Sequence, residues 1–198
     1  TLQRGDFYFL GQNPGGNDEK KYGKDTILNQ LMKSGDHNEY TQGVWSGPKG
    51  KKHQEIINKM FKDLELDIES VFSTNLNFLR SSDTDTYVGN YSDDCKLFWS
   101  IHEYFLSIVR PKFIIANGSE AREYFKKKMK PIHDLKKKPM KNYGKYKHIA
   151  QSFRGSIRTP NLSLDPLTVL AIPHLSNAPD YNNYYKKGVL WLKNELNS

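Results

Sequence analysis

Four short stretches of this chain end in side chains able to hold and polarise a small ligand. They are Gly11-Gln12-Asn13-Pro14-Gly15-Gly16, Val71-Phe72-Ser73-Thr74-Asn75, the run from Pro111 to Gly118, and Ile172-Pro173-His174-Leu175-Ser176. The carboxamides of Asn13 and Asn75 each present a donor and an acceptor in one plane, and neither is a useful proton acceptor. Their chemistry is orientation and recognition. His174 adds a hydrogen-bond donor that can change charge near neutral pH. Ser176 adds a hydroxyl two residues later. Glycine at both ends of the first stretch lets a ligand come close, and Pro14 removes a donor and stiffens the turn. His37, His53, His102, His133 and His148 show no metal-ligand spacing with cysteines or acids. No phosphate-cradling glycine motif carries a lysine at the proper distance, which argues against a hydrolase of small nucleotides. Neither a metal nor an organic cofactor is expected.

Each of the four stretches is an apolar, β-branched or aromatic run that stops at a polar residue or a glycine. Buried parallel strands do this on reaching the carboxyl edge of a sheet, where open α/β folds hold their ligands. Ile56, Ile57, Met60, Phe61 and Leu64 recur at helical spacing, predicting a helix from about His53 to Leu66. Leu97, Phe98, Ile101, Phe105 and Ile108 predict another from about Asp93 to Val109, ended by Pro111. Ser119 is a candidate cap for a helix running to about Met129, and Asn183 for a terminal helix reaching Leu196. Leu167 to Ile172 reads as the fourth strand. Strands alternating with helices predict a mainly parallel, four-stranded sheet covered on both faces, a three-layer α/β/α sandwich. Asn17 to Gly50 and Lys130 to Pro166 break that rhythm. Within the second, the alternation from Lys147 to Thr159 predicts a hairpin turning at Arg154-Gly155.

At 198 residues, one domain spanning 1–198 is expected, with a basic insertion at about 130–166. The formal charge of +8 is concentrated: Arg122 to Arg158 holds thirteen Lys and Arg against two acids, a local +11 that leaves −3 for the rest. Tyr124, Phe125, Tyr143, Tyr146 and Phe153 alternate with these cations, a combination suited to a polyanion with stackable bases. The plain alternative is a solvated insertion. With no apolar run of some twenty residues and no signal-peptide pattern, a soluble, cytoplasmic, monomeric protein without membrane contact is expected. The single cysteine, Cys95, can form no internal disulfide and anchor no iron–sulfur cluster, and is expected to be structural.

In this order the four stretches resemble the uracil-DNA glycosylase superfamily, over roughly Asp6 to Leu196. Gly11 to Gly16 is similar to its water-activating loop, Val71 to Asn75 to the strand whose terminal Asn reads the base, and Gly118-Ser119-Glu120-Ala121 to its central strand-turn-helix. His174-Leu175-Ser176 stands where the family carries a His-Pro-Ser type motif, with Leu175 in place of the proline. The resemblance implies a monofunctional DNA glycosylase that flips a nucleotide out of the duplex and hydrolyses its N-glycosidic bond. Asn13 would orient the water, with Asp18 or Glu19 as candidate carboxylates nearby. His174 would hold the charge that develops on the departing base.

Gln12, Gly15, Trp45 and Asn75 would line the base pocket. Trp45, in Gly43-Val44-Trp45-Ser46-Gly47, would stack on the base. Asn75 matches the N3–H and O4 edge of uracil, and after a half-turn of its amide the N3 and N4 edge of cytosine. Gly15 stands where uracil-restricted members carry a bulky aromatic, so a C5-modified pyrimidine such as a hydroxymethylated or glucosylated cytosine is a candidate substrate. Repair and defence against modified phage DNA use the same chemistry. Ser176, Lys126, Lys127, Lys137 and Arg154 are expected to contact DNA, with Tyr181 or Leu175 as the wedge that replaces the flipped base. The alternative from another class is a non-catalytic nucleic-acid binder that keeps the fold. Leu175 and the lack of an Asp in the first loop are the features that favour it.

Overall fold

The computed structural model describes residues 2–12, 41, 47–79, 90–144, 148–176 and 180–197. Among these residues six strands form one mixed sheet flanked by helices: β1 (Phe7–Gly11), β2 (Phe72–Asn75), β3 (Phe113–Asn117), β4 (Ile132–Pro139), β5 (Ile149–Thr159) and β6 (Leu162–Ile172). Their spatial order is β2-β1-β3-β6-β5-β4. The first four in that order run parallel, while β5 and β4 are added antiparallel at one side. The expected four-stranded sheet is therefore corrected to six strands, its four parallel strands made by the four stretches with polar ends.

Burial on both faces explains why β1 and β3 read as continuous apolar runs. Tyr8, Leu10, Ile114 and Ala116 point into one core, which is closed by Trp99 and Leu106 of helix α2 (Tyr91–Val109) and by Ala121 and Phe125 of helix α3 (Ser119–Lys128). Phe9 and Ile115, one residue out of step, point into a second core. That core contains Ile56, Ile57, Met60 and Phe61 of helix α1 (Gly47–Asp63) and, after the short helix α4 (Tyr181–Tyr184), Val189 and Leu192 of α5 (Lys186–Leu196). No helix among the described residues is long and apolar enough to cross a membrane.

Helix ends follow local chemistry. Asn90 caps α2 by accepting from the backbone N–H groups of Ser92 and Asp93, and Arg110 closes it in the left-handed region at φ 49°. Two expected caps are corrected. Gly118 is the capping residue of α3, and the Ser119 hydroxyl donates instead to Glu120 Oε2 at 2.8 Å. The terminal helix α5 starts after Tyr185 with no side-chain cap, and Asn183 lies within α4, which Asp180 caps through the N–H groups of Asn182 and Asn183.

The expected hairpin turn at Arg154-Gly155 is also corrected: both residues lie inside β5, and the chain reverses at Pro160-Asn161. Gly155 serves a close approach rather than a turn, since a Cβ there would stand 2.5 Å from the carbonyl oxygen of Pro131. Gly155→Ala is accordingly expected to destabilise the protein by about 1–3 kcal/mol through overpacking, read as a lower melting temperature. β6 starts at Leu162 rather than Leu167 because Leu162 and Leu164 are buried with Ile157 in the first core. β4 is one of the two edge strands, and Lys136, Lys137, Lys138 and Pro139 along it are residues that discourage further strand pairing.

Candidate functional site

The strand register lines up the carboxyl ends of the parallel strands. Asn75 pairs with Gly11, the next residue on from the Leu10–Ala116 pair is Asn117, and Asn117 pairs with Ile172. Three strand spacings, about 14 Å, separate β2 from β6. Both outer side chains lean inward across that gap. A Cβ on Gly11 would lie 2.5 Å from Asn75 Oδ1, so the amide occupies the space that a side chain on β1 would fill. At the end of β3, Gly118 has φ +117°, and a Cβ there would lie 3.4 Å from His174 Cδ2. Two glycines thus form the floor between a carboxamide and an imidazole.

Alternation assigns the side of the sheet. Gly11 follows Phe9 by two residues, and the His174 ring lies 5.3 Å from that of His53 on α1, so both groups stand on the side of the second core. Asn75, Gln12, His174 and Ser176 are therefore brought to one edge. Asn13, Gly15 and Trp45 lie outside the described residues.

Hydrogen bonds behind this edge hold it in place. The backbone N–H groups of Leu76 and Asn77 donate to the carbonyls of Gly11 and Gln12 at 2.9 and 3.0 Å, tying the end of β2 to that of β1. The Tyr91 hydroxyl donates to the Gln12 carbonyl at 3.0 Å. Deeper, His102 Nε2–H donates to the Leu76 carbonyl at 3.0 Å, which leaves Nδ1 to accept from the Tyr8 hydroxyl at 3.0 Å. On the other side, Leu175 N–H donates to Asn117 Oδ1 and the Tyr185 hydroxyl donates to the His174 carbonyl, each at 3.0 Å. The loop that carries Leu175 is thereby pinned at both ends of its first peptide.

His174 Nδ1 and Ser176 Oγ are 2.6 Å apart. When the serine donates, the imidazole proton sits on Nε2, where it can be given as a hydrogen bond. Desolvation holds the His174 pKa below the usual histidine value, opposed by the nearby Glu120 carboxylate. The neutral ring is the resting form. Burial, aided by the charge His174 would carry, lowers His53 to about 3. The linkage has a definite sign. Above pH 6.5 both folded and unfolded His53 are neutral; between about 6.5 and 3 the unfolded chain takes up a proton that the folded chain refuses. Stability should fall across that window by up to about 1.4 kcal/mol per pH unit from this group. Urea titrations at several pH values, on the wild type and His53→Gln, check it: the variant should lose part of the slope.

Several expected DNA-contacting residues sit elsewhere or are already engaged. Tyr181 is 4% exposed and its hydroxyl donates to Asp63 Oδ2 at 2.8 Å, while Leu175 is fully buried in the second core. Both are packing residues here, which corrects their expected role as a wedge. Lys126 bonds Gln151 Oε1 at 2.7 Å and Glu123 Oε1 at 3.2 Å, above the Phe153 ring. Lys127 is exposed on α3, and Lys137 is exposed on β4, level with Gln151 and Ala171 and so with the carboxyl edge. Arg154 pairs with Thr168, which is level with Phe113 at the start of β3. It belongs to the opposite end of the sheet, in a cleft with His133, Asp134 and the Arg158–Asp165 ion pair.

The aromatics interleaved with the lysines are largely structural. Phe125 and Phe153 are fully buried, the Tyr124 hydroxyl donates to the Cys95 carbonyl at 2.8 Å, and Lys128 Nζ stands 4.5 Å above the Trp99 ring. Cys95 itself is buried and its thiol is pushed up to about 11, mainly by desolvation, which suits a packing role.

Three residues at the site carried no sequence-level assignment: His53, Asn117 and Glu120. His53 follows a helical pattern with no functional marker. Asn117 and Glu120 lie inside or beside the strand-turn-helix segment, and nothing local distinguishes them from a strand end and a first-turn acid. Compared with family models and with curated proteins, the chain matches none, so any assignment rests on these residues and their geometry.

Proposed function

We propose that this protein is a monofunctional DNA glycosylase that hydrolyses the N-glycosidic bond of an extruded pyrimidine, on a three-layer α/β/α fold like that of the uracil-DNA glycosylase superfamily with a basic hairpin added. The observation that carries the reading is the convergence of Asn75 and His174 over Gly11 and Gly118, on one side of the carboxyl edge. A planar carboxamide facing an imidazole donor suits a planar base with a hydrogen-bonding edge on one side and a carbonyl next to the scissile bond on the other. Asn13, two residues beyond Gly11, is the candidate for orienting water. Lys127, Lys137 and Ser176 are candidates for backbone contacts, and the +11 segment supplies the long-range attraction for a polyanion.

Substrate choice follows from two residues. Asn75 reads uracil and cytosine equally after an amide flip, and Gly15 carries no side chain to exclude a C5 substituent. The favoured class is a C5-modified pyrimidine, either a hydroxymethylated or a glucosylated cytosine, with uracil as the comparison. Mass spectrometry of bases released from DNA bearing uracil, plain cytosine and C5-enlarged cytosines, by the wild type and Asn13→Ala, tests this. Release of a modified base by the wild type, strongly reduced in the variant, is the expected result. Binding to all of these DNAs with no base released would instead identify a non-catalytic nucleic-acid binder.

A further inference from the structure

Resting on the glycosylase reading, we propose that Glu120 is a further catalytic residue, the carboxylate that receives the proton of the attacking water and faces the positive charge on the sugar. The first loop carries Asn13, an amide that can aim water but not accept its proton. A carboxylate stands beside the His174 imidazole, on another element. Glu120 Oε2 lies 3.7 Å from the position of a Gly118 Cβ, the same point that His174 Cδ2 approaches at 3.4 Å. The acid and the imidazole therefore share the floor glycine at the end of β3. The Ser119 hydroxyl donates to Oε2 at 2.8 Å and fixes the carboxylate, and the first turn of α3 favours its negative charge. The electrostatic influence of Glu120 on His174 is a second sign of their proximity.

The chemistry of a pyrimidine nucleoside makes this placement useful. The anomeric carbon is attached to N1 and the O2 carbonyl to the adjacent ring atom C2. A group that stands beside the donor to O2 is therefore beside the reacting carbon as well. The C1′–N1 bond breaks with its electron pair leaving on the base, whose charge His174 Nε2–H stabilises from O2. A water oxygen forms the new bond to C1′, its proton passes to the Glu120 carboxylate, and that proton is then returned to the departing base through solvent. Hydrolysis balances with no added reactant, and it requires Glu120 ionised and His174 neutral together.

The test is single-turnover base release with Glu120→Gln, on the DNA that the wild type cleaves best, beside DNA binding and thermal melting of the same samples. Glutamine keeps an acceptor for Ser119 and removes only the charge. Release should fall about 10²-fold or more with DNA affinity within about threefold. Glu120→Asp should retain intermediate activity, and formate should restore part of the release by Glu120→Ala, an effect that a helix-capping role would not produce. Glu120→Gln releasing base within about threefold of the wild type, or Glu120→Ala unresponsive to formate, would overturn the inference while leaving the glycosylase reading intact. A wild type that binds DNA and releases no base would overturn both.

Discussion

His174→Ala is expected to slow single-turnover base release about 10²- to 10³-fold while changing DNA affinity only a few-fold. The donor acts on charge that appears as the C1′–N1 bond breaks, so its loss is felt in the transition state far more than in the bound complex. The imidazole is well prepared for this. Its ring is held over Gly118, its Nδ1 faces Ser176 Oγ at 2.6 Å, and its carbonyl is tied to the Tyr185 hydroxyl. Because desolvation lowers its pKa, the neutral donor persists below the usual histidine range. Release should then stay level through neutral pH, because the ring keeps both its neutral charge and its Nε2–H there. Rate measurements across pH, paired with filter-binding on the same DNA, check both statements. Equal losses of rate and affinity in His174→Ala would show a residue that holds DNA and not one that stabilises the departing base.

Asn75→Ala is the second large effect, and it should appear as a loss of base discrimination. The amide offers two hydrogen bonds to the edge of a flipped pyrimidine, each worth about 0.5–1.5 kcal/mol net, so their removal corresponds to about a 5- to 150-fold loss in kcat/KM for the preferred base. Fold and loop positions should survive. Asn75 bears on the site through its side chain, while the end of β2 is held by the backbone bonds from Leu76 and Asn77 to β1 and by His102 beneath. Competition between two modified DNAs in one reaction would measure the effect. A variant that loses rate equally on all bases would place Asn75 in the scaffold instead. Gly11→Ala makes a useful companion, since the new methyl group would meet Asn75 Oδ1 at 2.5 Å and displace the same amide without deleting it.

The sheet illustrates how far local patterns reach. Tyr8 to Leu10 and Ile114 to Ala116 are uninterrupted apolar runs because each successive residue enters a different core, and a run of that kind leaves little choice but a strand buried on both faces. Helices α1 and α2 were legible through apolar residues at helical spacing, although Leu97 and Ile101 of the stripe expected for α2 are exposed and its buried face is Cys95, Trp99, His102, Leu106 and Val109. β5 was not. Its glycine at 155 looks like a turn in isolation, yet it marks the approach of the Pro131 carbonyl, a contact between segments more than twenty residues apart. Tyr181 and Leu175 make the same point: an aromatic and an aliphatic residue after a polar strand end read as an exposed wedge, and both are buried once α4 and α5 pack on the second core.

The sequence by itself determined the four strands with polar ends, the types of group they deliver, and the concentration of positive charge between residues 122 and 158, since these depend only on composition and local periodicity. Tertiary structure alone decided which ends are neighbours: the order β2-β1-β3-β6 and its register lay Asn75 over Gly11, set His174 over Gly118, and bring Glu120 and His53 to the same imidazole. The physical reason is that a strand's own residues specify how it is buried, whereas its partners are chosen by the fit of all the strands and helices packed together.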